Sequence, residues 1–186
     1  VLHPAKKIES RGPAKRRITC FECHAELEVA ASAESTMCKK CSRYVDLKDY
    51  RITAAVSKNF KTKGSFVIES KGYVFNTEAI VGDAVIKGRF LGKLSAESLT
   101  LYSTAEIKGR FTTARLIIPA DNHFAWLTPL TVQHAEIAGE LVGAIEASGT
   151  VTLKSTARMF GDVTAVACRV EPGAVIVGQL RIGKIS

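Results

Sequence analysis

Four of the five cysteines form two Cys-x-x-Cys pairs, Cys20-Phe21-Glu22-Cys23 and Cys38-Lys39-Lys40-Cys41, with fourteen residues between them. Each pair fits a tight turn that aims both sulfurs the same way, and the intervening stretch is long enough for a hairpin that brings the turns together. Four thiolates at about 2.3 Å from one Zn²⁺ make a closed tetrahedron with no position left for water or substrate, so the expected cofactor is structural zinc held by Cys20, Cys23, Cys38 and Cys41. In so small a module the metal-binding energy would supply much of the folding energy. Two disulfides in a secreted domain are the alternative, and no signal sequence supports them. The thiolate site carries a net charge of −2, which Arg16, Arg17, Lys39, Lys40 and Arg43 stand close enough in sequence to offset. His24 adjoins Cys23, but a fourth thiolate is already available, so it is expected at the surface.

Other chemistry is hard to assemble from this chain. His3, His24, His123 and His134 lack metal-ligand spacing with one another. There is no phosphate loop, no Gly-x-Ser-x-Gly elbow and no Gly-x-Gly-x-x-Gly after a strand. Asp83, Asp121, Glu140 and Asp162 are scattered. Cys168 falls at a strand position equivalent to Leu99 and Val151 and reads as a core thiol. The expectation is a protein that is not an enzyme and has no small-molecule substrate.

The chain has 186 residues and a net charge of +8, and the charge is unevenly spread. Residues 1–63 hold 14 Lys and Arg against 7 Asp and Glu, whereas residues 64–186 hold 12 against 11. Residues 1–17 are basic, carry two prolines and have hardly any apolar side chains, which predicts a disordered arm. Lys6, Lys7, Arg11, Lys15, Arg16 and Arg17 are candidate contacts for an anionic partner, nucleic acid or an acidic membrane surface, because clustered cations release counterions from phosphates. A solubilising tail is the competing reading. No apolar run reaches the roughly 18 residues of a membrane span, and the default compartment is the cytoplasm, with membrane or nucleoid association dependent on the arm. The chain opens at Val1, as a processed or trimmed product would.

The elements that position these residues are strands. After the second cysteine pair, Tyr44 to Ile52 alternates apolar and polar, as the last strand of a ribbon would. From about residue 64 one heptad, Ala-x-[Ile/Met]-x-Gly-x-[Phe/Leu/Val], recurs five times, at 84–90, 105–111, 135–141, 157–163 and 174–180. The motif glycines are 21, 30, 22 and 17 residues apart. Short alternating strands separated by Gly, Ala, Ser, Thr and Pro corners suit a parallel β-helix of about six coils, roughly 30 Å long. The alternation sends Ile86, Phe90, Ile107, Phe111, Ile137, Leu141, Met159, Val163, Ile176 and Leu180 inward. The longest gap holds a degenerate copy, Asn122 to Thr128, in which Trp126 replaces the glycine; it reads as a bulged coil or an exposed aromatic patch. The expected boundaries are an arm at 1–17, a zinc ribbon at 18–54, a linker at 55–63 and the β-helix at 64–186.

The segment 64–183 resembles the bactofilins, a family of polymer-forming bacterial cytoskeletal proteins. The resemblance rests on the Ile-x-Gly-x-Phe/Leu motif and its doubled forms, Ile86-Lys-Gly-Arg-Phe-Leu-Gly-Lys-Leu94 and Ile137-Ala-Gly-Glu-Leu-Val-Gly-Ala-Ile145. It implies a right-handed β-helix that joins end to end into nonpolar filaments without nucleotide. The front of the chain is similar to members with an added zinc ribbon, in which CFEC, CKKC and YVDLKDY recur. This chain departs from many members in lacking a short apolar N-terminal segment and in carrying Ile176 where they have Phe.

Polymerisation has physical support of its own, since a β-helix ends in open strand edges and natural solenoids usually cap them. The last motif runs out at Arg181 to Ser186 with no helical or acidic cap. Val175, Ile176, Val177, Leu180 and Ile182 are the expected contact at the C-terminal end, with Val67, Ile68, Val74 and Phe75 as counterparts at the N-terminal end. The leading expectation is a self-assembling scaffold whose ribbon recruits a protein cargo. The alternative is a nucleic-acid-binding protein that uses ribbon and arm and is multimerised by the β-helix.

Overall fold

The structure, a computed structural model, describes residues 14–183. All its regular elements are strands, and it divides into two compact units between Lys48 and Asp49. In the first unit, β1 (Lys15–Thr19) and β2 (Glu26–Ala30) form one antiparallel hairpin, and β3 (Ser35–Met37) and β4 (Tyr44–Asp46) form another. Each hairpin closes over one Cys-x-x-Cys turn. Among the described residues the buried apolar core of this unit is only Val29, Val45 and Leu47 around Cys20 and Cys38. A core that small falls well short of offsetting chain entropy by itself.

From Tyr50 onward the chain winds into a parallel β-solenoid of eight coils, each with three short faces. On the first face, Ile52, Ile68, Ile86, Leu101, Ile118, Ile137, Leu153 and Val170 stack in register, one per coil. The second face carries Val56, Val74, Phe90, Ile107, Phe124, Leu141, Met159 and Ile176. The third carries Phe60, Ala79, Leu94, Phe111, Leu130, Ile145, Val163 and Leu180. Apolar side chains repeat at period two along each face, so each inward residue rests on its counterpart one coil away, about 4.8 Å distant. Ile86, Leu101, Ile118, Ile137, Leu141, Met159 and Val163 are fully buried, each contributing on the order of 2 kcal/mol.

Eight coils replace the expected six, and the reason lies in the motif. In the copy at 84–90, Ile86 belongs to the first face and Gly88 to the corner after it. In the copy at 105–111, Ile107 belongs to the second face and Gly109 to the next corner. One local pattern therefore marks two corners of the same coil, and glycine spacing between copies does not measure the coil. The doubled forms are the true repeat: Ile86, Phe90 and Leu94 sit on the three successive faces, as do Ile137, Leu141 and Ile145.

The second corner shows why glycine is needed there. Gly109 has φ 121° and Gly161 has φ 137°, a region that disfavours side chains. A Cβ on Gly109 would overlap the carbonyl oxygen of Gly92 one coil below, and one on Gly161 that of Gly143. Elsewhere polar side chains bind the corners of adjacent coils. Asn59 accepts from the Glu78 N–H at 2.9 Å, Asn122 from the Ser103 N–H at 3.0 Å and Asp162 from the Gln179 N–H at 2.9 Å.

Three sequence-derived boundaries change. Lys15, Arg16 and Arg17 belong to β1, not to a disordered arm, while residues 1–13 lie outside the described residues. The run Tyr44 to Ile52 is split between the units: Tyr44–Asp46 pairs in the second hairpin, whereas Tyr50–Ile52 pairs in parallel with Phe66–Ile68. The proposed linker is solenoid too, since Ala55–Val56 pairs with Tyr73–Val74 and Phe60–Ile68 pairs along Ala79–Ile86. Period-two alternation is common to hairpins and solenoid strands, so it marks strands without saying which sheet they join.

Candidate metal centre and solenoid ends

The two cysteine turns have the same backbone. The His24 N–H donates to the Cys20 carbonyl at 3.2 Å, and the Ser42 N–H donates to the Cys38 carbonyl at 2.8 Å. Cys20 N–H reaches Ala25 O at 2.9 Å, and Cys38 N–H reaches Arg43 O at 2.8 Å. His24 (φ 54°) and Ser42 (φ 56°) are both left-handed. His24 thus closes the first turn through its backbone, and the four ligand sulfurs come from the cysteines.

These turns converge the sulfurs of Cys20, Cys23, Cys38 and Cys41 to within 4.8 Å of one another. Cys20 and Cys41 sulfurs are 3.7 Å apart and those of Cys23 and Cys38 are 3.5 Å apart. Tetrahedral ligands at about 2.3 Å from a metal stand about 3.8 Å apart, so the donor set fits one tetrahedral ion. A disulfide needs sulfurs at about 2.05 Å, and all the cysteines are free. The electrostatics agree. Backbone N–H groups of Cys23 and Glu22 pull the Cys20 thiol down to about 6, and that of Cys41 lowers Cys38. At Cys41 the Arg43 backbone N–H also lowers the pKa, but burial and the neighbouring cysteines outweigh it and push it up to about 12. All four can become thiolates together only with a cation among them.

The candidate anion contacts separate. Arg16 is committed inside its own unit, its guanidinium donating to Ala33 O and Leu47 O, both at 3.1 Å. It joins the strand β1 to the end of β4 and is not available to a partner. Lys15 pairs with Glu28 at 3.1 Å on the surface, and Arg17 is exposed. Lys6, Lys7 and Arg11 lie outside the described residues.

At the C-terminal end of the solenoid the residues of the last coil fall into two sets. Ile176, Leu180 and Ile182 continue the inward columns, resting on Met159, Val163 and Ala165, which are fully buried. Leu180 is still 43% exposed and Ile182 54%. Val175 and Val177 point outward from the second face, beside Arg158 and Phe160 of the coil below. Cys168 and Val170 complete the same inward layer, over Val151 and Leu153. Sequence reasoning placed Cys168 in the correct column but took it for a buried residue. It sits in the outermost layer, half-buried, with its thiol pKa pushed up by what burial remains.

The N-terminal assignment needs correction. Val67, Ile68, Val74 and Phe75 belong to the second coil, because Tyr50–Ile52 and Ala55–Val56 form a coil beyond them. Ile68 and Val74 are fully buried. The first coil instead presents Tyr50 against Phe60 edge to face, centroids 5.3 Å apart, with the Lys58 ammonium 5.0 Å from the Phe60 ring. Ile52 and Phe60 of this coil are buried, whereas Leu180 and Ile182 of the last coil are about half exposed, so the two ends differ in how far their inward layers are covered.

The irregular coil is a bulge. Trp126 takes the corner place that Gly143 fills one coil later, and four residues separate Ala125 from Leu130 where two separate Val142 from Ile145. The Trp126 ring is half-buried against Phe111 and Phe124, centroids 5.0 and 5.9 Å away, and the exposed side chain is Leu127. Beside it, His123 Nδ1 lies 2.7 Å from the Glu140 carboxylate in a shallow hollow that also takes in Asp121, Asn122, Thr156 and Arg158. The hollow is open on the surface, and within it Asn122 accepts from Ser103 while the Thr156 hydroxyl donates to the Ala138 carbonyl of a corner.

A parallel β-solenoid with an interior apolar core, joined to a hairpin module that gathers four cysteines, defines the architecture. The family comparison agrees. The chain belongs to the bactofilin family, whose model, described as polymer-forming cytoskeletal, matches residues 43–125 and 128–181. The two matched segments part at Trp126 and Leu127, within the bulge, and residues 15–42 of the hairpin unit lie before the match. No curated protein and no solved structure matches the chain.

Proposed function

We propose that this chain is a cytoskeletal scaffold that assembles end to end through its solenoid, without nucleotide, while the hairpin unit holds one structural Zn²⁺ and serves as adaptor for a protein cargo. The observation that carries this reading is the inward layer of the last coil, Cys168, Val170, Ile176, Leu180 and Ile182, which continues the core columns yet has no described residue above it. Such a layer and its open strand edges are stabilised by a second solenoid end. In this reading like ends meet: a junction of two last coils alternates with a junction of two first coils, and alternating isologous junctions give a filament without polarity. A cytoplasmic location goes with this reading.

Electron microscopy of the full chain, without nucleotide and at low and high salt, tests it. Filaments that persist at high salt are expected, because apolar junctions are weakly screened. Small uniform particles under both conditions would overturn the proposal. If DNA retention appeared instead and fell steeply with salt, the nucleic-acid alternative would take its place. For the metal, one zinc per chain by elemental analysis is expected, and a chain free of metal would refute that part alone.

A further inference from the structure

We infer that the outer surface of the second face is a lateral interface on which filaments of this same chain pack side by side. The inference rests on the filament reading above and adds a contact that end-to-end joining does not use.

The observation is a ladder. Outward positions on the second face stack Phe75, Leu91, Lys108, Ala125, Val142, Phe160 and Val177, one per coil from the second coil to the last. All are apolar except Lys108, whose stem is aliphatic. At about 4.8 Å per coil the stripe is about 29 Å long. Leu91, Val142, Phe160 and Val177 are 37%, 39%, 37% and 56% exposed. Nine large apolar side chains of the solenoid are exposed among the described residues, and all but Leu127 fall on this ladder or on the way into and around the last coil. The third face differs: the equivalent outward column there reads Ile80, Ser95, Thr112, Thr131, Glu146, Thr164 and Arg181, apolar at Ile80 alone. A pleated surface does not need apolar side chains on its solvent side, so an apolar stripe interrupted at Lys108 alone marks a contact.

The neighbouring column on that face indicates the occupant. Between Tyr73 and Val175 it runs Arg89, Glu106, His123, Glu140, Arg158, with arginines outside and carboxylates within. A lipid surface or a nucleic acid would be met by one sign of charge. This mixed column complements a copy of itself displaced by one coil, arginine against glutamate, as the polar rim of an apolar contact. A copy also supplies what no compact partner does, a straight apolar stripe of the same pitch. A stripe one residue wide is far below the roughly 1,200 Å² of a stable interface, so lone chains do not pair through it. Along a filament the same contact is repeated many times and becomes avid.

The test compares the full wild-type chain with a double variant, Val142→Lys with Phe160→Lys, and a third-face control, Thr131→Lys with Glu146→Lys. Bundles are read by low-speed sedimentation, total filament by high-speed sedimentation, and both are checked by electron microscopy. The wild type and the control are expected to pellet at low speed. The ladder variant is expected to lose at least about tenfold of that pellet while its high-speed pellet and melting temperature stay at wild-type values. Should it melt early, Leu91→Lys alone replaces it. Bundling that survives the ladder variants, or that the third-face control abolishes equally, overturns the inference while leaving the filament intact. Single wild-type filaments at every concentration do the same. Ladder-dependent binding to phosphatidylglycerol vesicles in place of bundling would assign the stripe to lipid and also overturn it. Absence of any wild-type filament refutes the assembly reading first and the lateral contact with it.

Discussion

Replacing Leu180 by Arg is the sharpest test of the end contact. Leu180 stands in the outermost inward layer, resting on Val163 below and 43% exposed above. Full burial of a leucine stabilises by roughly 1.5–3 kcal/mol, so covering the exposed part contributes about 1 kcal/mol per chain. A junction of like ends contains the residue twice, which doubles the loss to about 2 kcal/mol. The two guanidiniums must also be desolvated near each other, which brings the total to about 4 kcal/mol or more. At 1.4 kcal/mol per factor of ten, the junction weakens about a thousandfold. The assay is high-speed sedimentation against concentration, with maleimide labelling of Cys168 as a second readout. Wild type is expected to pellet above a threshold and to protect Cys168 as it does so. Leu180→Arg is expected to stay soluble at hundreds of times that threshold (about 4 kcal/mol) and to label freely. Its melting temperature should barely move, since the side chain has core neighbours on one side only. Arg181→Ala, which alters the adjacent outward residue, should assemble as wild type. A Leu180→Arg chain that pellets at the wild-type threshold would refute the assignment of this layer to the junction.

Other predictions concern the parts separately. His24→Gly relieves a left-handed non-glycine residue and is expected to stabilise the hairpin unit by about 1 kcal/mol, seen as tighter metal retention against a chelator; weaker retention would mean the imidazole itself contributes. Gly109→Ala is expected to destabilise the solenoid by about 2 kcal/mol or more, because it combines φ 121° with overlap on Gly92, and a melting temperature within error of wild type would contradict the corner geometry. The Glu171 carboxylate accepts from Lys154 Nζ at 3.2 Å and the Ser155 N–H at 3.1 Å, and its pKa is held below the usual 4.5. Its folded pKa is depressed, so its contribution is present above the unfolded pKa and is lost as pH falls through the folded one. Wild type should therefore lose more stability than Glu171→Gln on acidification below about 4.5, and parallel melting curves for the two would show that the contact contributes nothing.

The particular residues show what could be read without the fold. Cys20, Cys23, Cys38 and Cys41 were legible because a metal site is a local chemical demand, satisfied by residue type and spacing over a short stretch. The inward residues were legible because a strand's period is two wherever the strand lies, and Ile86, Phe90, Ile137 and Leu141 are all in the core. The coil count was not, since the same Ile-x-Gly-x-Phe pattern serves at two corners and only register separates Gly88 from Gly109.

The same distinction explains the ends. Tyr50 to Ile52 alternates like the hairpin strand before it, and only its parallel partner Phe66–Ile68 assigns it to the solenoid. That pairing buries Ile68 and removes it from the end. Arg16 looks like any basic residue of a cationic run until the carbonyls of Ala33 and Leu47 are brought to it from 17 and 31 residues away. The outer ladder joins residues 16–18 apart whose polarity means nothing individually. By itself the sequence determined which residues are strand, which face inward and which sulfurs can gather around a metal, because those follow from local periodicity and local chemistry. Which strand lies on which, and therefore which layers are left at the surface, was decided only by the tertiary structure, because register is a relation between distant segments.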